Sequence, residues 1–221
     1  MNNFSFVKIN SFLDKETVQS LMLRFDEIYN EEVYKINQEN IRELKYADII
    51  KEPKFHNLYN RISKKIIEIS SFRDLKISKL WLVYSEATKE NRRYLPYVPH
   101  IDKLRYLKAM VYLNDVNLNN GPIHLAKAKN NITIETIRKN LQSDYKDKGA
   151  NVVNEKMFQG SLNPITGKAG DVIFFDTNTP HKAGVVKEGF DRKVLRFDFE
   201  RPFFNKKPKL LKKIINLMLG K

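Results

Sequence analysis

A chain of 221 residues and 26.1 kDa, 42% hydrophobic and 11% aromatic with a mean hydropathy of -0.51, is long enough for one domain with a core and too apolar to stay disordered. No run nears the 18 or so apolar residues of a spanning helix, the start Met1-Asn2-Asn3-Phe4 lacks a basic-then-apolar leader pattern, and zero cysteines removes disulfides, thiolate metal sites and cysteine nucleophiles together. A cytoplasmic protein is expected, with any metal resting on His, Asp and Glu. The formal charge of +14 favours anionic partners, but half of the excess lies after the last predicted strand, where Arg201, Lys206, Lys207, Lys209, Lys212, Lys213 and Lys221 meet no acidic residue. A general nucleic-acid surface is therefore not expected.

In chain order, Asp14 is placed to cap a helix in which Val18, Leu21, Met22, Phe25, Ile28 and Tyr29 recur on one face. A second helix carries Leu58, Ile62, Ile66 and Ile69 and stops near Ser70-Ser71. After Lys76 the pattern changes to short runs rich in branched and aromatic residues, at 77–84, 106–113, 122–125, 171–175 and 193–199, with one short helix around 133–140. Turn signals at Asn119-Asn120-Gly121-Pro122, Asn163-Pro164 and Gly167 to Gly170 separate the runs. In the run at 106–113, Leu107, Ala109, Val111 and Leu113 form an apolar side meant for the backing helices, while Tyr106, Lys108, Met110 and Tyr112 form a mixed side suited to a ligand-holding interior. Helices followed by many short strands, without βαβ alternation, give an α+β fold: a jelly-roll-like double-stranded barrel over 76–200, backed by helices in 1–75 and followed by a tail at 201–221.

Among four histidines, His100 stands in Val98-Pro99-His100-Ile101-Asp102, an extended stretch that projects His100 and Asp102 to the same side. His181, after the strand from Gly170 and a polar turn, is the candidate third ligand. Two histidines and a carboxylate on one face, with open positions left over, form the triad of non-haem iron(II) oxygenases, whose open positions admit 2-oxoglutarate and O2. The far carboxylate of that co-substrate needs a cation. Arg192, at the mouth of the last strand eleven residues after His181, is favoured, and Arg196 competes. Lys108 and Tyr106 face the interior, where they either touch 2-oxoglutarate or substrate, or pack in the barrel and reach solvent past its rim. His56 reads as a capping or surface residue, His124 as ordinary packing, and Trp81 and Tyr84 as core.

His100-Ile101-Asp102, Arg105-Tyr106-Leu107-Lys108, Val111 to Val116, Asn120-Gly121-Pro122, Gly170-Asp171, Asp176-Thr177, His181 and Arg192, in that order over roughly residues 77 to 200, resemble the phytanoyl-CoA dioxygenase family. The resemblance implies the barrel, the iron triad, and 2-oxoglutarate held by the arginine. Where that family usually has Pro-Gly-Ser-His after Asn-Gly-Pro, this chain has Lys127-Ala128-Lys129-Asn130, a departure on the substrate side. Members that halogenate lack the triad carboxylate, so Asp102 implies hydroxylation or a related oxidation. Nucleic-acid demethylases of the alkylation-repair branch carry two arginines separated by five residues, whereas three separate Arg192 from Arg196. The competing expectation is a non-catalytic barrel that binds a ligand or partner with the triad unused. The substrate class expected is a small molecule, or a molecule linked to a carrier or lipid.

From Pro208, Leu210, Leu211, Ile214, Ile215, Leu217 and Met218 cover one side of a potential helix, and Lys209, Lys212 and Lys213 the other. This reads as an interfacial helix for anionic lipid, or as a terminal helix docked on its own barrel or a second subunit. If the tail is interfacial, the protein should sediment with anionic vesicles, less so at high salt, and deletion of 208–221 should abolish binding without changing the melting temperature. No vesicle binding, together with a destabilised deletion variant, identifies a docked helix instead.

Overall fold

The computed structural model describes residues 5–29, 34–36, 39–87, 95–126, 150–153 and 162–201. The expected helix at 133–140, the segment 127–130 and the tail at 208–221 lie outside these residues. The first half runs β1 (Phe6–Ile9), α1 (Lys15–Tyr29), β2 (Tyr34–Ile36), β3 (Glu39–Leu44), α2 (Tyr46–Ile49) and α3 (Pro53–Ser70). It continues with β4 (Lys76–Glu86), β5 (His100–Asp102), β6 (Leu107–Tyr112), β7 (His124–Ala126), β8 (Ala150–Val152), β9 (Leu162–Pro164), β10 (Val172–Asp176), β11 (His181–Lys182) and β12 (Asp191–Glu200).

Both long helices form where their apolar spacing places them. Asp14 accepts a 2.7 Å hydrogen bond from the Thr17 amide and caps α1, which buries Val18, Leu21, Phe25 and Ile28. Pro53 opens α3, and the Ser71 amide closes it by donating to the Ile67 carbonyl. The two helices pack on the outer face of a seven-stranded antiparallel sheet ordered β1-β10-β6-β12-β4-β3-β2. Leu107, Ala109, Val111 and Leu113 join Phe25, Phe55, Ile62 and Ile66 in that outer core, as the alternation of β6 requires. Each of these leucine, valine, isoleucine and phenylalanine side chains contributes about 1.5–3 kcal/mol by leaving water.

A five-stranded antiparallel sheet, β8-β5-β11-β7-β9, faces the inner side of the large one. Between them lie Val83, Met110, Tyr112, Ile123, Leu125, Ile173, Phe175 and Val194. The architecture is thus a mostly β jelly-roll sandwich, and the expectation of a closed barrel is corrected. No ladder joins the sheets among the described residues, because the outer strands β8 and β9 are three residues long and pair on one side only. The segment 1–75, read as helices, also supplies β1 to β3: β1 pairs with β10, and β3 with β4. None of the helices described is long and apolar enough to cross a membrane.

Asp171 anchors the N-terminal strand to the start of β10. Its buried carboxylate accepts from the Ser11 amide (2.8 Å) and the Lys168 amide (2.9 Å) and pairs with Lys8 at 2.9 Å. Next to it Gly170 holds φ +92°, and a Cβ there would lie 2.6 Å from the Leu13 carbonyl oxygen, so the position demands glycine. Burial alone would raise the Asp171 pKa, but Lys8 and the two amides outweigh it and hold it below the usual carboxylate range. The ionised form therefore stabilises the fold above the unfolded carboxyl's pKa, about 4, and the contribution is lost as pH falls through the lower folded value. Asp171→Asn should cost about 2 kcal/mol in urea unfolding at pH 7, with the gap from wild type shrinking below about pH 4.

Candidate metal centre

The centre is built on the small sheet. Pro99 keeps the chain extended into β5, so Ile101 turns away, fully buried, while His100 and Asp102 share the other side. The turn from Asp176 to Pro180 then delivers β11 alongside. Arg105 donates to the Asp176 carboxylate at 3.0 Å, the Tyr106 amide to the Thr177 hydroxyl at 2.8 Å, and the Asp102 amide to the Thr177 carbonyl at 3.2 Å. With that turn fixed, His181 pairs directly across from His100.

The three side chains present one ligand atom each, all within 4.8 Å of one another. His100 Nε2 lies 3.7 Å and His181 Nε2 3.5 Å from Asp102 Oδ1. Each histidine's Nδ1 is 2.8 Å from the carbonyl two residues earlier, Val98 for His100 and Thr179 for His181. Because a carbonyl only accepts, the proton sits on Nδ1 and the lone pair on Nε2 faces the carboxylate, the outer-shell arrangement of metal-binding histidines. Burial, then the neighbouring His181, pushes the His100 pKa down to about 3, so its imidazole is neutral and available as a ligand. Burial works against the Asp102 carboxylate, but Lys108 and the two histidines hold it well below the usual range and ionised. Lys108 donates to Asp102 Oδ2 at 2.6 Å and leaves Oδ1 turned to both histidines. Two imidazoles and one oxygen-donor anion, without a thiolate, suit a borderline divalent transition metal with open positions.

A cavity of about 250 Å³ extends from the triad between the sheets, walled by Trp81, Met110, Ile123 and Phe175. Both candidate arginines line it. Arg192 is 2% exposed, and its guanidinium donates to the Gly121 carbonyl and, at 3.1 Å, to the Ser85 hydroxyl directly across on β4. Gly121 reaches that place because it packs backbone to backbone on Gly184: a Cβ on either would lie within 2.6 Å of the other segment's carbonyl oxygen. Arg196 lies four residues along the same face, opposite Trp81. Lys108 lines the cavity with its amine engaged by Asp102, whereas Tyr106 lines an adjoining cavity that shares Asp102.

Trp81, read as core from the sequence, lines both cavities, and Ser85 was not singled out at all. The signal for Ser85 was its four-residue spacing from Trp81, which puts both on one face of β4. His124 has Nδ1 3.0 Å from the Pro122 carbonyl and does not line the cavity, and His56 stacks on Tyr59.

A jelly-roll sandwich with a buried two-histidine, one-carboxylate cluster facing an arginine-lined cavity defines the class: a metal-binding jelly-roll protein. The phytanoyl-CoA dioxygenase (PhyH) family model matches residues 6–194, and the chain belongs to that family. The ectoine dioxygenase of Bordetella bronchiseptica (strain ATCC BAA-588 / NCTC 13252 / RB50) is 34% identical over 87 residues, a match that covers 35% of this chain and 28% of that protein. Among solved structures, the epimerase SnoN in complex with Fe3+, alpha-ketoglutarate and nogalamycin RO aligns with a TM-score of 0.69 at 18% identity, over 93% of this chain and 86% of that one. HygX from Streptomyces hygroscopicus, with nickel, 2-oxoglutarate and hygromycin B bound, aligns with a TM-score of 0.61 at 14% identity, over 91% and 85%. At these identities the structural likenesses establish the fold.

If the cluster is a metal site, nickel(II) added to the wild-type protein should bind with about 1:1 stoichiometry in calorimetry and raise the melting temperature. His100→Ala and His181→Ala should each remove most of that affinity while remaining folded by circular dichroism. Unchanged affinity in either variant would remove that residue from the ligand set.

Proposed function

We propose that the protein is an iron(II)- and 2-oxoglutarate-dependent dioxygenase acting on a small molecule, with His100, Asp102 and His181 holding the metal and Arg192 the far carboxylate of 2-oxoglutarate. The observation that carries this reading is the convergence of both Nε2 atoms on one oxygen of Asp102, in a cavity that also holds a buried guanidinium. Bound there, iron(II) with 2-oxoglutarate and O2 supplies the oxidising chemistry, with succinate and CO2 released. Family membership supports the reading, as do the metal and 2-oxoglutarate in the SnoN and HygX structures.

The chain's own residues bind and orient. Ser85 and the Gly121 carbonyl aim the Arg192 guanidinium, whose planar fork then offers a carboxylate two parallel hydrogen bonds in a desolvated setting. Met110, Ile123 and Phe175 exclude water around the space between Arg192 and the triad. Lys108 holds Asp102 Oδ2, so the carboxylate offers one oxygen to the metal in a fixed direction. With that carboxylate in place, the outcome we propose is hydroxylation or a related oxidation. The narrower form of the proposal, a carrier- or lipid-linked substrate met at a membrane surface by residues 208–221, is supported only by the amphipathic spacing of that tail.

The test is conversion of 2-oxoglutarate to succinate by the isolated protein, which should require iron(II) and disappear in His181→Ala. Arg192→Ala should weaken 2-oxoglutarate binding by about 2 to 4 kcal/mol while metal affinity is kept. A larger loss from Arg196→Ala reverses the choice of arginine, and metal binding without any succinate favours a non-catalytic ligand-binding protein.

A further inference from the structure

A second cavity of about 420 Å³ shares Trp81, Asp102, Lys108 and Arg196 with the first but is not lined by His100 or His181. Its walls carry Lys79, Lys103, Lys108 and Arg196 against two carboxylates, Asp102 and Asp198, an excess of two positive charges. Two of the cations are already committed, Lys108 to Asp102 and Lys79 to Glu43 at 3.1 Å. Three further groups keep donor positions open. The Arg196 guanidinium lies over the Trp81 ring, its Cζ 4.9 Å from the centroid and its Nε 3.2 Å from Asp198 in an ion pair, and its terminal nitrogens have no partner among the described residues. The same is true of the exposed Lys103 amine and of the Tyr106 hydroxyl, which burial and the nearby carboxylates keep protonated as a hydrogen-bond donor. The platform is itself fixed, because the Trp81 indole donates to Asp198 at 2.8 Å and Trp81 is the cross-strand partner of Arg196.

The two terminal nitrogens of a guanidinium, an ammonium and a phenol, without protein partners among the described residues and set around one cavity with an aromatic wall, form a receptor for an oxyanion attached to an organic body. We infer that this cavity binds the substrate, and that the substrate carries an anionic group, a carboxylate or a phosphate, seated between Arg196, Lys103 and Tyr106. That the group bound there is substrate rests on the proposed metal role of the triad, since Asp102 lines this cavity too and so sets its contents beside the reacting centre. It also divides the arginines: Arg192, buried and tied to Ser85, serves the co-substrate, and Arg196, open to both cavities, serves the substrate.

Trp81 is the chain's one tryptophan and lines both cavities, so with the Arg192 end filled beforehand a further change in its fluorescence reports on the second. The protein is loaded with nickel(II) and 2-oxoglutarate, which fills the Arg192 end and prevents turnover, and is titrated at fixed ionic strength with phenyl phosphate, phenylacetate and neutral benzyl alcohol. At least one anion should shift the Trp81 signal saturably, the stronger of the two naming the group, while the alcohol binds about tenfold more weakly or less. Arg196→Gln should weaken the anion about tenfold or more, and Lys103→Gln, at an exposed position where folding is not at stake, should weaken it by a smaller factor. Equal binding of the alcohol, no response to either anion, or an unchanged affinity in both variants overturns the inference. Calorimetry of nickel(II) and 2-oxoglutarate on the same samples keeps the two readings apart. Loading without anion binding sinks the substrate site alone, and anion binding without loading leaves an oxyanion site and sinks the oxygenase.

Discussion

The 2.6 Å ion pair between Lys108 and Asp102 joins the two sheets at the centre of the molecule, Lys108 from β6 of the large sheet and Asp102 from β5 of the small one. A carboxylate enclosed between sheets without a partner would be neutral or strongly destabilising. The lysine keeps it ionised, and it does so from one side only, so that the second oxygen stays turned toward His100 and His181. Such a pair contributes little net stability, because desolvation offsets most of the attraction. What it fixes is direction. The turn that seats His181 depends on the same strand, since Arg105 and the Tyr106 backbone, immediately before β6, hold Asp176 and Thr177.

The parts of this arrangement legible in the sequence are those governed by local periodicity. The 3.6-residue spacing of α1 and α3 and the two-residue alternation of β6 each follow from side-chain direction along the element, so the buried face can be read without a partner. The His-x-Asp pair was legible for the same reason: two residues apart on an extended chain share a side. Its convergence with His181 is a pairing across 81 positions, and order of motifs was the only sequence trace of it.

What stayed hidden was set by partners far along the chain. Phe6-Val7-Lys8-Ile9 is too short to announce a strand, and it becomes one because β10 offers an open edge from Val172 to Phe175. The strand β3 reads Glu-Asn-Ile-Arg-Glu-Leu, a largely polar run whose Ile41 and Leu44 are buried only once β4 lies beside it. Trp81 looked like core because an aromatic residue on a strand carries no mark of which face is wet. Its role beside the cavity follows from its cross-strand neighbour Arg196, and that register is invisible in either strand alone. Closure of the barrel was overestimated on similar grounds, since short strands give no signal of where pairing ends.

In the roles we propose for them, the two arginines would let one strand serve two ends of a reaction space. Four residues apart on β12, they face the same way and stand about 13 Å apart, with Val194 between them packed on Val83 and Tyr112. Sequence alone ranks them only by distance from the strand's mouth. Their cross-strand partners separate them: Ser85, a hydroxyl that accepts from a buried guanidinium, and Trp81, a broad aromatic face under one that lines both cavities. Because side chains alternate at every residue, Arg196 cannot move by one position without crossing to the helix-packed face, where Leu195 and Phe197 are fully buried, and the cation that β12 does carry on that face, Lys193, is paired with Asp26 of α1 at 2.6 Å. The spacing of the arginines is therefore tied to the spacing of Ser85 and Trp81, and a change on one strand that keeps the division of labour requires a matching change on the other.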